Sequence, residues 1–374
     1  MIQSISVSNF RCLGSDVILG LSDLTVLVGR NGAGKSSLVD VLQFLSDCMR
    51  LGLEGAITKR HGIGAVRRWS SGHPHNVSIK LRTKREDFDA EYAFVIAGDR
   101  EEEYRVQSEE AGVRMRGDAA LGYSIREGKW IGGPEDLRPP VTSMNLILPL
   151  VAGDSRFKPL ADELRRMAVY SIFPDFLREP QKYDPTRPMR EHGENWISIL
   201  KDQSESEWKS DLVSALSSLT GDIQDVRIRP VSGFLTTQFK HQANRVSRNK
   251  WFESSQESDG TLRVAGIITA LLQTPPLTVV GVEEPELTVH PGAIRLLYDF
   301  LKQASRSSQV VLTTHSPDLL DHVDADDVRL VENKEGATTV GPMNEEQRQV
   351  VRDRLMSLGE IMRSEYLQMD LPLE

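Results

Sequence analysis

The sequence has little that would place it outside a reducing, aqueous compartment. Its 374 residues include two cysteines, Cys12 and Cys48. They fit no zinc spacing and no disulfide framework, which suits a reducing cytoplasm. No apolar run approaches the roughly 18 residues needed to cross a bilayer. The opening MIQSISVSNFR has no charged segment followed by an apolar one, so no secretory leader is expected. No internal repeat or low-complexity tract is visible. No heptad pattern persists, which argues against a long coiled coil. Basic charge is also scarce: 45 Lys and Arg against 54 Asp and Glu give a net charge of -9. Affinity for phosphate backbones comes mainly from cations, so this balance argues against a dedicated DNA-coating protein. Residues 221–250 are a local exception, with Arg227, Arg229, Lys240, Arg245, Arg248 and Lys250 against Asp222 and Asp225. That patch is either a solvated face or a nucleic-acid contact.

What remains is an ordinary mix, 39% hydrophobic and 26% charged, long enough for one large or two modest domains. Ile2 to Val7 alternates and reads as a strand, as does Val17 to Leu19. Leu24 to Val28 is a nearly continuous apolar run, the mark of a strand buried on both faces. Leu38, Val41, Leu42, Leu45 and Met49 then recur at helical spacing, which predicts a helix to about Arg50. Residues 60 to 130 read as a β-meander, with alternation at Val77 to Leu81 and Tyr92 to Ile96. Residues 142 to 220 read as mostly helical, interrupted by Pro174, Pro180, Pro185 and Pro188. Strands are expected at Val226 to Ile228, Phe234 to Phe239, Thr278 to Val282 and Val310 to Thr314. Helices are expected from Thr261 to Leu272 and from Gly292 to Ser305. The tail predicts two short strands, Val328 to Val331 and Thr338 to Val340, and one helix from Asn344 to Arg363.

Four motifs carry chemistry. Gly29-Arg30-Asn31-Gly32-Ala33-Gly34-Lys35-Ser36 satisfies G-x-x-x-x-G-K-[ST] between a buried strand and a helix. Its glycines let main-chain N–H groups close on phosphate. Lys35 supplies charge for the β- and γ-phosphates of ATP, and Ser36 a hydroxyl for Mg²⁺. The segment TVVGVEEPE ends an apolar strand in Glu283 and Glu284. Strand alternation points the two carboxylates different ways, so one can hold Mg²⁺ while the other orients or deprotonates the attacking water. VVLTTHSP places His315 at the end of another buried strand. Parallel α/β sheets bind ligands beyond the carboxyl ends of their strands, so Gly29, Glu283 and His315 are expected to meet at one site. In ESDGTL, Ser258 and Gly260 precede a helix whose N–H groups can face phosphate. The plainer reading is an N-cap by Ser258 or Asp259.

In this order the four motifs resemble the ABC-type ATPases of the SMC/RecF/OLD superfamily. ISVSNFRCLG followed by GRNGAGKSS is similar to the start of those heads. GVEEPELTVHP resembles their Walker B segment and TTHSPDLLD their switch-histidine segment. ESDGTLR resembles the signature of the compact OLD-like ATPases, and EHGENWISIL (Glu191 to Leu200) a further common segment. The likeness is close over roughly residues 1–50 and 255–330 and loose over 60–250. It implies an α/β fold: a P-loop head with a mixed β-sheet lobe, a central parallel sheet flanked by helices and a mainly helical insertion. The expected parts are 1–140, with Walker A and the β-lobe; 141–225, the insertion; and 226–374, with signature, Walker B and switch histidine.

The resemblance also implies a homodimer with ATP sandwiched between subunits. Lys35 and Ser36 of one chain would face Ser258 and Gly260 of the other, and Ser37 joins the loop residues that bind the nucleotide. It makes Glu284 the catalytic carboxylate, Glu283 the Mg²⁺-associated one and His315 the γ-phosphate sensor. Arg11 matches a basic residue that reaches the nucleotide, or is a surface arginine. Glu283 stands where the family usually has Asp, and the Q-loop glutamine finds no clear match. Cys-x-x-Cys hooks are missing, and about 60 residues after His315 leave too little for a Toprim nuclease. The expected role is therefore an ATPase working through a separate effector, a nuclease or toxin, as compact relatives in anti-phage defence do. A RecF-like DNA-repair ATPase and a non-hydrolysing nucleotide-dependent scaffold are the alternatives; a membrane transporter subunit is the least expected.

Overall fold

The computed structural model describes residues 1–68, 75–100, 102–203, 205–242, 251–334 and 336–370. The chain forms two compact units. One comprises Met1–Met167, Arg329–Met343 and the segment from Met369; the other comprises Ala168–Val328 and Asn344–Gln368.

In the first unit the expected meander is an antiparallel sheet. Its order is Val17–Gly20, Ile2–Ser8, Val77–Lys84, Phe88–Ala97, Arg105–Met115, Leu121–Arg126 and Lys129–Gly132. Alternation decides the buried face: Val77, Ile79 and Leu81 are buried while Arg82 and Lys84 are exposed. The meander begins later than expected, because Ile63–Val66 is a short helix. Leu24–Val28 is buried at all five positions. Beside it lies Val328–Lys334, which forms an antiparallel hairpin with Ala337–Pro342. The following helix runs over Lys35–Thr58, past the expected end at Arg50. Gly52 breaks its geometry at φ 73°, ψ 170°, and there the sequence looks like a helix stop. Leu53, Ala56 and Ile57 resume the buried face beyond the break.

Arg60 closes that helix back on itself. Its guanidinium is 4% exposed and bonds both Asp40 (2.6 Å) and Asp47 (2.9 Å), with Phe44 beneath it at 5.0 Å. Elsewhere in the unit, a fully buried carboxylate organises the chain. Glu109 accepts hydrogen bonds from Tyr92 Oη (3.0 Å), Tyr123 Oη (2.7 Å), Ile147 N (2.5 Å) and Leu148 N (2.9 Å). Burial pushes its carboxyl up, and the four donors pull it back down.

In the second unit Val279–Glu283 and Gln309–Thr314 pair in parallel, with Glu283 opposite Thr313. Helices Asp259–Leu271 and Pro291–Ala304 lie where periodicity puts them. Ile223–Val231, Phe234–His241 and Trp251–Glu253 form a small antiparallel sheet.

Two expectations need correction. The stretch 142–220 is not uninterrupted helix between prolines. Helices Leu148–Val151, Lys158–Arg165, Pro174–Arg178, Trp196–Asp202 and Glu205–Thr220 are joined by strand Met167–Tyr170. That strand lies beside Val279–Glu283. Four buried residues directly after a helix carry no period of their own, so they read as its continuation. The tail helix is two helices, Glu345–Arg352 and Leu358–Ser364. Arg354 at φ 56° turns the chain, and Ser357 with Glu360 starts the second helix through a capping box. Among the described residues no helix is long and apolar enough to cross a membrane.

Glu109→Gln puts an amide donor among four donors. Urea unfolding is expected to show a loss of roughly 2–3 kcal/mol; a change below about 0.5 kcal/mol would mean that the carboxylate is not what holds Ile147 and Leu148.

Candidate nucleotide site

The phosphate loop belongs to the first unit. Leu24–Val28 delivers the chain to Gly29, where a Cβ would lie 2.2 Å from Val331 O. Gly32 and Gly34 have φ 78° and 109°, a region that side chains disfavour. At Gly34 a Cβ would meet Thr338 Oγ1 at 2.3 Å. The glycines are thus demanded by backbone conformation and by close packing, as a main-chain cradle requires. Lys35 is 7% exposed, and its Nζ donates to Gly29 O (2.7 Å) and Arg30 O (3.1 Å), folded over its own loop. Arg30, Asn31, Gly32 and Ser36 are exposed, whereas Ala33 and Ser37 are buried. Ser37 Oγ takes a hydrogen bond from Cys12 Sγ at 3.1 Å. Ser36, not Ser37, therefore has a hydroxyl free to face a cation. Loop, lysine and exposed serine fit a nucleotide di- or triphosphate with its Mg²⁺.

Arg11 lies in the same unit at φ 50°. Its guanidinium pairs with Asp40 of the loop's own helix at 3.0 Å.

Glu283, Glu284, His315, Ser258 and Gly260 lie in the second unit. Glu284 follows the strand end with φ 44°, an uncommon value outside glycine. The backbone there is held on both sides. Its N–H donates to Thr313 O (2.9 Å), and its carbonyl accepts from Arg263 Nη2 (3.1 Å). The turn aims the side chain at His315, whose Nδ1 is 2.8 Å from Glu284 Oε1. Of the expected residues in this unit, these two are joined directly.

Sequence reasoning missed the supports around them. Arg263 is 4% exposed and also donates to Ile172 O at 2.9 Å. Burial lowers its pKa, opposed by the charges of Glu286 and Glu284. A lone charge inside the apolar run TLRVAGII was the available signal. Glu286 is buried and accepts from Thr314 Oγ1 at 2.5 Å, while its Oε2 has no partner among the described residues. Burial raises its pKa against that hydrogen bond. Among the described residues no cluster of three or more His, Cys, Asp or Glu side chains could hold a metal. Metal binding would therefore need oxygens from outside such a cluster.

Ser258 does cap a helix: its Oγ accepts from Thr261 N at 3.2 Å. Gly260 packs so closely that a Cβ would lie 2.6 Å from Thr288 O. Both line a cleft of about 580 Å³ together with Thr288, His290 and Gly292. The N-termini of helices Asp259–Leu271 and Pro291–Ala304 contribute to its wall, which favours an anion there. In the basic patch, Arg227 stacks 3.9 Å over Trp251 and bonds Gln238. Arg245, Arg248 and Lys250 lie outside the described residues.

Comparisons with known proteins give a family and a fold. A family model described as an AAA domain, putative AbiEii toxin, type IV toxin–antitoxin system matches residues 24–321. A search of curated proteins finds no match. Solved structures share the fold. An Smc head bound to the C-terminal winged-helix domain of ScpA is 14% identical, with a TM-score of 0.58, over 93% of this chain and 99% of that one. An Smc head from Pyrococcus furiosus, with an extended coiled coil and bound to the C-terminal domain of ScpA, is 12% identical with a TM-score of 0.52, over 95% and 99%. One from Pyrococcus yayanosii, with a coiled coil and joint, is 11% identical with the same TM-score, over 95% and 99%. The chain belongs to the family described as AAA domain, putative AbiEii toxin, type IV toxin–antitoxin system, and it has the fold of Smc head domains.

Proposed function

We propose that this chain is a Mg²⁺-dependent ATPase that dimerises across ATP and acts through a separate effector protein. The observation that carries hydrolysis is the Glu284–His315 pair, held at an uncommon backbone angle from both sides. Such strain persists where surrounding structure fixes it, and it gathers at working sites. Bound Mg-ATP supplies the phosphoanhydride to be cleaved and the metal's charge. Lys35 leaves the carbonyls of Gly29 and Arg30 and neutralises phosphate oxygens. The loop's main-chain N–H groups, with Ser37 packed below, hold the rest of the anion. Ser36 would supply an oxygen to the metal, and Glu283 keeps the metal-associated role that the family resemblance gives it. Glu284 takes a proton from a water through its second Oε while His315 Nδ1 lies against Oε1; the water oxygen bonds the γ-phosphorus and the bond from that phosphorus to the ADP oxygen breaks. Ser258 and Gly260 present a helix N-terminus and a glycine surface to the nucleotide of a second subunit.

The effector part rests on family description, which names a putative toxin and a type IV toxin–antitoxin system. Two similar Smc heads are bound to ScpA, which supports docking of a separate protein on a head of this fold.

Lys35→Ala removes a charged donor worth roughly 1.5–3 kcal/mol, so affinity for a fluorescent ATP analogue should fall about 10- to 100-fold. Unchanged affinity would overturn the assignment of the loop. Glu284→Gln should retain nucleotide and lose about 10²- to 10⁴-fold in turnover. With Mg-ATP it should accumulate as a dimer in light scattering, whereas Lys35→Ala stays monomeric; wild-type turnover in Glu284→Gln would remove the carboxylate from catalysis.

A further inference from the structure

The phosphate loop is not self-supporting. Hairpin Val328–Lys334 and Ala337–Pro342 meets it at both ends: Val331 O faces Gly29, and Thr338 faces Gly34. Thr338 is 1% exposed, and its Oγ1 lies 2.9 Å from Ala33 O and 3.4 Å from Cys12 Sγ. A hydroxyl has one proton, and the carbonyl is the nearer and stronger acceptor. Thr338 Oγ1 therefore donates to Ala33 O. Its main chain is fixed as well, because Thr338 N donates to Cys12 O at 3.3 Å.

The consequence follows from peptide geometry. In a trans peptide the carbonyl and the next N–H point in opposite directions. Drawing Ala33 O onto a buried hydroxyl of the hairpin turns Gly34 N–H away from that hydroxyl. Gly34 adopts φ 109° and leaves no room for a Cβ beside Thr338. The hydroxyl and the glycine thus fix one peptide orientation between them.

We propose that Thr338 is a positioning residue of the phosphate site: by holding the Ala33 carbonyl, it keeps Gly34 N–H turned toward a bound polyphosphate. This rests on the reading that the loop binds ATP. A buried threonine that merely satisfied its own hydroxyl would alter stability and leave nucleotide affinity alone.

The test measures equilibrium binding of a fluorescent ATP analogue and of ADP to the full chain, with thermal unfolding in parallel. Thr338→Val keeps the shape and loses the donor; its dissociation constants should rise about tenfold for both nucleotides. Thr338→Ala should show the same loss, and Thr338→Ser, which keeps the hydroxyl, should bind like wild type. Wild-type affinity in a folded Thr338→Val or Thr338→Ala would overturn the proposal. So would a loss in Thr338→Ser equal to that in Thr338→Ala, because methyl packing would then be the cause. If Lys35→Ala binds as tightly as wild type, the loop is not the nucleotide site and the proposal falls with that reading. If Lys35→Ala is impaired and the Thr338 series is flat, Thr338 alone fails.

Discussion

A phosphate cradle made of main chain needs every N–H turned one way and every carbonyl satisfied another way. That constraint organises the first unit. A strand buried on both faces delivers the loop, glycines allow the conformation, and a hairpin from far along the chain takes up the carbonyl side. Lys35 completes the arrangement by resting on two of the loop's own carbonyls. Its charge is thus solvated by groups that a phosphate can replace.

The second unit solves a related problem for a carboxylate. Glu284 has to leave a parallel strand at an angle that the strand does not allow, and hold it. Thr313 grips the incoming N–H and Arg263 the outgoing carbonyl, so the turn is fixed before any ligand arrives. Arg263 is carried by the helix that Ser258 caps. The same helix therefore supports the carboxylate's backbone and presents its own N-terminus to a cleft.

Much of this was legible in the sequence because it depends on local rules. The all-apolar LTVLV, the glycine spacing before Lys35 and the apolar run ending in Glu283 are short patterns with one physical meaning each. Ser258 as a cap was legible too, from residue type beside a helical period. The supports were not. Thr338 looks like any strand threonine until the fold brings Ala33 to it across some 300 residues of chain. Arg263 and Glu286 declare themselves only through burial. The strand Met167–Tyr170 was missed because four apolar residues after a helix have no period, and partner strands decide what they become. The tail helix was read as one because its break depends on a backbone turn at Arg354, an ordinary helix former.

Asp40 shows what such supports permit. It answers to two guanidinium groups: Arg60, 4% exposed and locked on Asp47 as well, and Arg11, 37% exposed. One of these counter-ions is enclosed and the other reaches solvent. Lys59 also pairs with Asp47, at 3.2 Å, so Asp40 and Asp47 are matched by three cations. At these two positions the helix that begins at the phosphate loop thus carries more cationic partners than carboxylates, and the surplus sits at its exposed edge.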